Sequence, residues 1–219
     1  ISRDEQEQFA IGSHEKALEA WDNGKYDDEV IPIDIYGERV VDKDEGPRKP
    51  DLEKIKSLGP AFLENGTITA ATSSPISIGA AAVLITSRTF AEDNSLSIRA
   101  TIKGRSVVGV DWRRMGMGPL PATEKVIKDL NMTMDQIDVI ELNEAFAAQS
   151  LYVIKNGGWD INKINQNGGA IALGHPLGCS GARIMTTLVN VMEQQDSKTG
   201  LATMCIGTGQ GIATILERN

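Results

Sequence analysis

Short apolar runs alternate with longer runs of helical periodicity in the second half of the chain. Strand-like runs share an alternating or continuous apolar pattern and cover Ile98–Val110, Val139–Leu142 and a glycine-joined pair within Leu201–Leu216. Apolar residues recur at helical spacing in Ala122–Leu130, Glu144–Lys155 and Ser180–Glu193. Alternation of this kind predicts an α/β fold with helices on both faces of a mixed sheet.

The first half is less regular. Ser2 and Glu5 form a capping-box pattern that predicts a helix as far as Trp21. Pro32 marks the run Val30–Ile35 as an edge strand. Four further segments are predicted: a charged loop over Arg39–Pro50, a short helix over Asp51–Leu58, a polar approach over Thr67–Pro75 and a buried strand over Ile78–Ile85.

Composition narrows the possible partners. The chain has 219 residues and a formal net charge of −8, which argues against nucleic acid because phosphate binding needs a basic face. Apolar runs are too short to predict a membrane span. Two cysteines without a disulfide pattern fit a reducing compartment, so we expect a cytoplasmic protein.

Three polar residues follow or end predicted core elements. Asn143 follows a strand, His175 lies in the glycine-rich stretch Gly168–Gly181, and Cys205 lies at the turn of the last two strands. Together they could polarise a carbonyl group while a thiol moves a proton. Taken singly, Asn143 could cap a helix, His175 could be a core residue, and Cys205 could be a small core hydrophobe.

The motifs around these residues resemble those of one enzyme family. Asn143-Glu-Ala-Phe146, Gly174-His-Pro176 and Cys205-x-Gly207 occur in the order and spacing of the thiolases, and the similarity begins at Ser2–Phe9. The likeness is to acetyl-CoA acetyltransferases and 3-ketoacyl-CoA thiolases. It implies a layered α/β/α fold with a mixed five-stranded sheet.

The resemblance also implies a division of the chain. Residues 1–66 would be part of a loop domain that covers the active site, and 67–95 would be the last strand and a short helix of the N-terminal core domain. Residues 96–219 would be the complete C-terminal domain, so the chain would hold somewhat more than the C-terminal half of a subunit.

Four catalytic roles carry over by motif. Cys205 would transfer the proton of the acetyl-CoA methyl group, and His175 would donate to the thioester oxygen. Asn143 would hold a water that donates to the same oxygen, and the N–H of Gly207 would help to form a second oxyanion hole. Coenzyme A and acetyl-CoA would be substrates, with no permanently bound cofactor and no metal.

Substrate-binding positions are implied more weakly. Ala145 and Phe146 would line the acyl pocket, whereas Phe62, Ala70 and Ser74 match positions along the pantetheine arm. Arg48, in a Gly-Pro-Arg-Lys-Pro loop, is a candidate for the anionic part of coenzyme A. A solvated charged turn is the alternative for that loop.

The family's nucleophilic cysteine lies in the N-terminal half of the subunit. Cys179 lies where relatives usually have a small residue, and Cys205 matches the proton-transferring cysteine, so neither matches the nucleophile. We therefore expect no turnover from the chain alone. The implied partners are the N-terminal half of the same subunit and further copies in a homodimer or homotetramer, in fatty acid metabolism.

Two departures from the family pattern motivate alternatives. Pro75 stands for a customary Gly and Ile78 for a customary Asp beside the pantetheine tunnel. A non-catalytic acyl-CoA-binding relative is therefore one alternative. A β-ketoacyl synthase is another, disfavoured because those enzymes need no second thiol at the place of Cys205. Thr208 replaces a customary Gly, and we predict a negative φ there.

Overall fold

The computed structural model describes residues 1–218 and contains a four-stranded mixed sheet. Its strands are β3 (Thr101–Gly109), β4 (Val139–Leu142), β5 (Thr199–Ile206) and β6 (Gln210–Glu217), in the spatial order β3-β6-β5-β4. The pairs β3–β6 and β5–β6 are antiparallel, whereas β4 and β5 are parallel. A separate small hairpin joins β1 (Ile33–Ile35) to β2 (Arg39–Val41).

Seven α-helices are found among the described residues. They are α1 (Arg3–Asp22), α2 (Leu52–Ser57), α3 (Arg88–Asp93), α4 (Pro119–Asp129), α5 (Ala147–Gly157), α6 (Ala170–Leu173) and α7 (Ser180–Gln194). The predicted capping box of α1 is present, since the Ser2 side chain accepts from the Glu5 N–H and the Glu5 carboxylate accepts from the Ser2 N–H. Asp51 caps α2, since its side chain accepts from the Lys54 N–H.

The alternation of side chains along the strands sorts the helices into layers. In β6, Ile215 joins the cluster formed with α4 and α5, whereas Leu216 joins the cluster formed with α7. In β5, Leu201 belongs to the cluster formed with α4 and α5, and Ala202 belongs to the cluster formed with α7. Successive strand residues point to opposite faces, so the sheet is covered on both sides. The predicted α/β/α layering with a mixed sheet is confirmed.

The expected fifth strand is reduced to one parallel bridge between Ile140 of β4 and Ile164. The pairing stops after Ile164 because the next residue, Asn165, has a φ of 45°, which lies outside the extended region. Its side chain continues the pairing instead, because Asn165 Oδ1 accepts from the Leu142 N–H at 2.9 Å and Nδ2 donates to the Leu142 carbonyl at 2.8 Å. Both backbone groups of Leu142 are therefore satisfied without a strand.

The prediction of a buried strand over Ile78–Ile85 is wrong. Ile76 and Ile78 are fully exposed, Leu84 is 78% exposed, and residues 75–85 make no backbone–backbone hydrogen bond to the rest of residues 1–218. The apolar run reads as a strand, but no described strand lies beside it. The sequence pattern alone could not reveal the absence of a pairing partner.

Three smaller corrections concern element bounds. The strand predicted over Val30–Ile35 is only β1, and its partner β2 lies inside the segment predicted as a loop. The helix predicted from Glu144 begins at Ala147. Its N-cap is Phe146, so Asn143 does not cap it.

A long segment over residues 23–50 packs on α6 and α7. Tyr26 is buried and its hydroxyl donates to the Asn167 carbonyl. Asn190 of α7 donates to the Lys25 carbonyl at 2.7 Å, and Thr187 donates to a Glu29 carboxylate oxygen at 3.2 Å. Residues on α7 thus hold this segment beside the glycine-rich stretch that carries His175.

No helix among residues 1–218 has the length and apolar character that a bilayer crossing requires.

Candidate active site

The carboxyl ends of β4 and β5 bring two of the predicted residues to one edge of the sheet. Because β4 and β5 are parallel neighbours, Asn143 directly after β4 lies beside the end of β5 that carries Cys205. The Asn143 N–H continues the pairing by donating to the Thr203 carbonyl at 3.0 Å. Both side chains are buried, Asn143 completely and Cys205 to all but 6%.

His175 reaches Asn143 from the loop between α6 and α7. Its Nε2 lies 3.4 Å from Asn143 Nδ2, and its Nδ1 lies 2.6 Å from the hydroxyl oxygen of Ser180. Gly174 before it has a φ of 102° and passes so close to Ser77 that a Cβ there would overlap the Ser77 side chain. A glycine is therefore required where the chain turns to present the imidazole.

A buried carboxylate fixes the loop that precedes His175. Glu144 Oε2 accepts from the Ser13 hydroxyl at 2.6 Å and from the Ile171 N–H at 3.1 Å, while Oε1 accepts from Asn165 Nδ2 at 2.8 Å. Gly169 packs directly against this carboxylate, and a Cβ at that position would overlap it. Glu144 therefore joins α1, the end of β4 and the first turn of α6.

Burial keeps the candidate catalytic groups uncharged. It lowers the pKa of His175 below its ordinary value, and the Arg183 guanidinium lowers that pKa further. Burial raises the pKa of the Cys205 thiol. At neutral pH the site therefore holds a neutral imidazole and a protonated thiol.

One amide atom at the site lacks a partner. Asn143 Oδ1 is buried and makes no hydrogen bond among the described residues. Buried polar atoms are usually satisfied by protein or by ordered water. An amide in this state is suited to hold a water molecule or a polar substrate atom.

Four predicted substrate-binding residues are joined by contacts to the residues that follow Asn143 in the chain. Ser74 donates to the Ala145 carbonyl from both its N–H and its hydroxyl at 3.1 Å, and Ser73 forms a bridge with Phe146. The rings of Phe62 and Phe146 meet edge to face with centroids 5.7 Å apart. Phe62 is 65% exposed, so it is not a core residue in this structure.

The other predicted residues are placed less closely. Ala70 is exposed on a 3₁₀ turn over Ala70–Thr72, and Gly207 is exposed in the turn after β5. Arg48 is tied to α1, because its N–H donates to His14 Nδ1 at 3.4 Å. Its guanidinium donates to the Gly46 carbonyl at 3.3 Å and makes no hydrogen bond to the other candidate residues within residues 1–218.

The prediction of a negative φ at Thr208 is wrong, since its φ is 69°. Only Gly207, Thr208 and Gly209 connect β5 to β6, and the turn needs two successive residues of positive φ. Gly209 supplies one of them, and Thr208 takes the other in spite of its branched side chain.

Comparison with known proteins supplies the family. Residues 1–89 match the model described as "Thiolase, N-terminal domain", and residues 96–218 match "Thiolase, C-terminal domain". This chain belongs to the thiolase family.

Thiolases of known sequence and structure are similar along its full length. A 3-ketoacyl-CoA thiolase of Vibrio vulnificus (strain CMCP6) is 51% identical over 227 residues, covering 100% of this chain and 59% of the relative. The crystal structure of the Bacillus anthracis acetyl-CoA acetyltransferase has a TM-score of 0.96 at 40% identity and covers 99% of this chain and 56% of that one. Human mitochondrial 3-ketoacyl-CoA thiolase in complex with CoA has a TM-score of 0.93 at 36% identity, covering 100% of this chain and 55% of that one. The chain thus spans less than two thirds of the length of these thiolases.

The residues that hold this candidate site in place were not predicted from the sequence. Ser180 contacts the imidazole directly, and Glu144 and Asn165 brace the loop before it. Ser180 could have been noticed as a hydroxyl residue at the predicted start of a helix, five positions after His175. No local pattern marks the partnership of Glu144 with Ser13, which are 131 positions apart.

Proposed function

We propose that this chain is the C-terminal catalytic portion of a thiolase that forms or cleaves the carbon–carbon bond of a 3-ketoacyl-CoA such as acetoacetyl-CoA. One observation carries the proposal: the Asn143 amide and the His175 imidazole approach to 3.4 Å at the sheet edge that also holds the Cys205 thiol. Two hydrogen-bonding groups and one proton carrier are what enolate formation at a thioester requires. The names of the similar proteins support the same substrate class.

Cys205 would carry the proton. During condensation the C–H bond of the acetyl-CoA methyl group breaks, its proton passes to the Cys205 sulfur, and its electron pair moves to the thioester oxygen. Because burial raises the pKa of this thiol, its resting form is the protonated one. It would therefore act first as proton donor to the CoA sulfur that leaves when the nucleophilic cysteine of the N-terminal half takes the acyl group, and the resulting Cys205 thiolate would accept the methyl proton in the next step.

His175 and Asn143 would stabilise the enolate oxygen. His175 would donate directly from Nε2, and Asn143 would act through a water that it holds. Removal of one such donor typically costs about 3 kcal/mol of transition-state stabilisation. The N–H of Gly207 would serve the second oxyanion in the same manner.

The acyl-CoA would lie along the cluster of Phe62, Ser74, Ala145 and Phe146. Its support is the contact between these residues next to Asn143 and the exposure of the Phe62 ring. Ala70 would contact the pantetheine arm, and Arg48 would approach the anionic end of coenzyme A. No permanently bound cofactor is part of this proposal.

The proposal extends to the metabolic role, the compartment and the oligomeric state of the protein. We place it in fatty acid metabolism in the cytoplasm, as a homodimer or homotetramer. The two cysteines support a reducing compartment because both are free thiols.

A chimeric enzyme would test the function. Neither Cys179 nor Cys205 matches the family's nucleophile, so the 219-residue chain alone is expected to show no turnover. We expect a fusion to the N-terminal portion of the Vibrio vulnificus thiolase to cleave acetoacetyl-CoA when CoA is added.

The two cysteines offer a matched pair of variants. In the chimera, Cys205→Ala should lower the rate about 10²- to 10⁴-fold and abolish exchange of the acetyl-CoA methyl protons with D₂O. Cys179→Ala, which removes the other buried thiol, should leave both unchanged. A folded chimera that binds CoA but neither cleaves substrate nor exchanges protons would overturn the proposal and favour a binding protein.

A further inference from the structure

The position of one proton on His175 decides what this residue can do. A neutral imidazole carries its proton on Nδ1 or on Nε2, and only the protonated nitrogen donates. Nε2 faces Asn143, and Nδ1 lies 2.6 Å from the Ser180 hydroxyl oxygen. If Nδ1 accepts from the Ser180 hydroxyl, the ring proton is on Nε2; if Nδ1 donates to that hydroxyl, Nε2 carries no proton and cannot donate.

The surroundings of Ser180 determine that direction. Its hydroxyl has one proton and two acceptors within reach, His175 Nδ1 at 2.6 Å and the Pro176 carbonyl at 3.1 Å. The Pro176 carbonyl already accepts from the N–H groups of Cys179 at 2.8 Å and Ser180 at 2.9 Å. Since a carbonyl oxygen has two lone pairs, both are used, and the hydroxyl proton goes to the nearer and unoccupied Nδ1.

We propose that Ser180 is a positioning residue that donates to Nδ1 of His175 and so keeps the imidazole proton on Nε2. The inference rests on the proposed function in one respect: the proposed reaction needs Nε2 to donate to the substrate oxygen. Ser180 is fully buried in the first turn of α7. The same helix packs on the sheet through Ile184 and Leu188, which holds the hydroxyl in place.

Two further observations agree with this arrangement. Burial and the Arg183 guanidinium lower the pKa of His175, so the neutral ring, for which the choice of nitrogen matters, is the one present at neutral pH. A proton on Nε2 also gives a use to Asn143 Oδ1, which is buried without a partner among residues 1–218. As placed, Nδ2 of the amide faces Nε2; rotation of the amide by half a turn lets Oδ1 accept from Nε2–H while no substrate is bound, and a substrate oxygen would then replace Oδ1 as the acceptor.

Nuclear magnetic resonance of the ring nitrogens would test the inference. The chain has two histidines, His14 and His175, so labelling with ¹⁵N-histidine gives a spectrum that a His14→Gln variant assigns. Between pH 7 and 8 we expect the His175 signals of the Nε2–H form. A wild-type spectrum dominated by the Nδ1–H form would overturn the inference without any variant at Ser180.

A pair of hydroxyl deletions on α7 would isolate the role of Ser180. In Ser180→Ala the ratio of the Nε2–H to the Nδ1–H form should fall about fivefold, which corresponds to the loss of one hydrogen bond. Thr186→Ala is the matched control, because the Thr186 hydroxyl lies on the same helix and donates to the Ala182 carbonyl at 3.0 Å rather than to an imidazole. An unchanged ratio in folded Ser180→Ala, or an equal fall in Thr186→Ala, would exclude a specific role.

These measurements need no catalysis. If the chimera proved inactive while the spectrum showed the Nε2–H form, the proposed reaction would fail and the role of Ser180 in orienting the ring would stand. Should the chimera be active with the Nδ1–H form present, the reverse would hold.

Discussion

Asn165 binds both backbone groups of Leu142 with its side chain, at 2.9 Å and 2.8 Å. Where a neighbouring strand would supply a backbone N–H and a carbonyl, a single amide supplies both. Asn165 also donates to Glu144, so one residue closes the edge of the sheet and braces the loop that leads to His175.

Replacement of Asn165 by Ala should be strongly destabilising. It leaves the buried groups of Leu142 and one carboxylate oxygen of Glu144 without partners, and we expect a loss of about 3 kcal/mol or more in the free energy of unfolding. Urea denaturation would measure it. Asn131→Ala is the control, because Asn131 has a similar φ of 53° but an exposed side chain. If the two variants lost the same stability, backbone strain alone would account for the effect.

Glu144→Gln should loosen the loop before His175. Three donors point at this buried carboxylate, and an amide would turn its NH₂ group towards at least one of them. We expect a loss of about 2 to 4 kcal/mol and faster amide hydrogen exchange over residues 168–175. Glu124→Gln, at an exposed position on α4, should change neither. Unaltered exchange in the Glu144 variant would show that the loop is held by other contacts.

The turn between β5 and β6 offers a stabilising change. Thr208 adopts a φ of 69°, where a branched residue costs about 1 to 2 kcal/mol, part of which Gly recovers. Thr208→Gly should therefore raise the free energy of unfolding by about 1 kcal/mol. Gly209→Ala should lower it, because a Cβ at Gly209 would approach the Val110 carbonyl. Thermal melting of the two variants in opposite directions is the expected result, and a destabilised Thr208→Gly would contradict it.

Stability should fall as the pH rises from 7 to 8. Burial raises the pKa of Glu141 to about 8, and its nearest cation is Arg183, 3.6 Å away. The folded chain keeps this proton in an interval where the unfolded chain has lost it, so unfolding releases a proton and a higher pH favours the unfolded state. Glu29, whose pKa is raised to about 7 by burial, contributes in the same direction.

The histidines do not interfere in that interval. Burial lowers the pKa of His14 to about 4 and also lowers that of His175, so their effect on stability appears only as the pH falls below about 6.5. Glu141→Gln should flatten the decline between pH 7 and 8, as followed by urea denaturation. Glu124→Gln should retain it. A wild-type stability that is constant across this interval would refute the assignment to the buried carboxyl groups.

The parts of the fold that follow from the sequence are those with local causes. The Ser2 and Glu5 pair predicts the start of α1, and the apolar runs around Val139 and Leu201 predict β4 and β5. Asn143, His175 and Cys205 could be singled out because each follows or ends such an element. Their mutual approach depends on the parallel pairing of β4 with β5, which no local pattern specifies.

The failures share a different cause. Ile78 has the apolar surroundings of a buried strand, yet it is fully exposed because burial needs a partner elsewhere. Thr208 has a strong preference against positive φ, yet the three-residue turn overrides it. Glu144 reads as the start of a helix, whereas its carboxylate is used by Ser13 from the opposite end of the chain. In each case interactions outside the local pattern, or their absence, outweigh the local preference.

The extended run from Pro75 to Ile85 bears on how this polypeptide should be handled. Its isoleucines face water, and its backbone makes no backbone–backbone hydrogen bond within residues 1–218. Such a run tends to associate with extended peptides, including the same segment of another copy of the chain. At millimolar concentration we expect turbidity and broadened spectra, so labelled samples should be kept dilute. Ile78→Lys should reduce this self-association and keep the protein in solution.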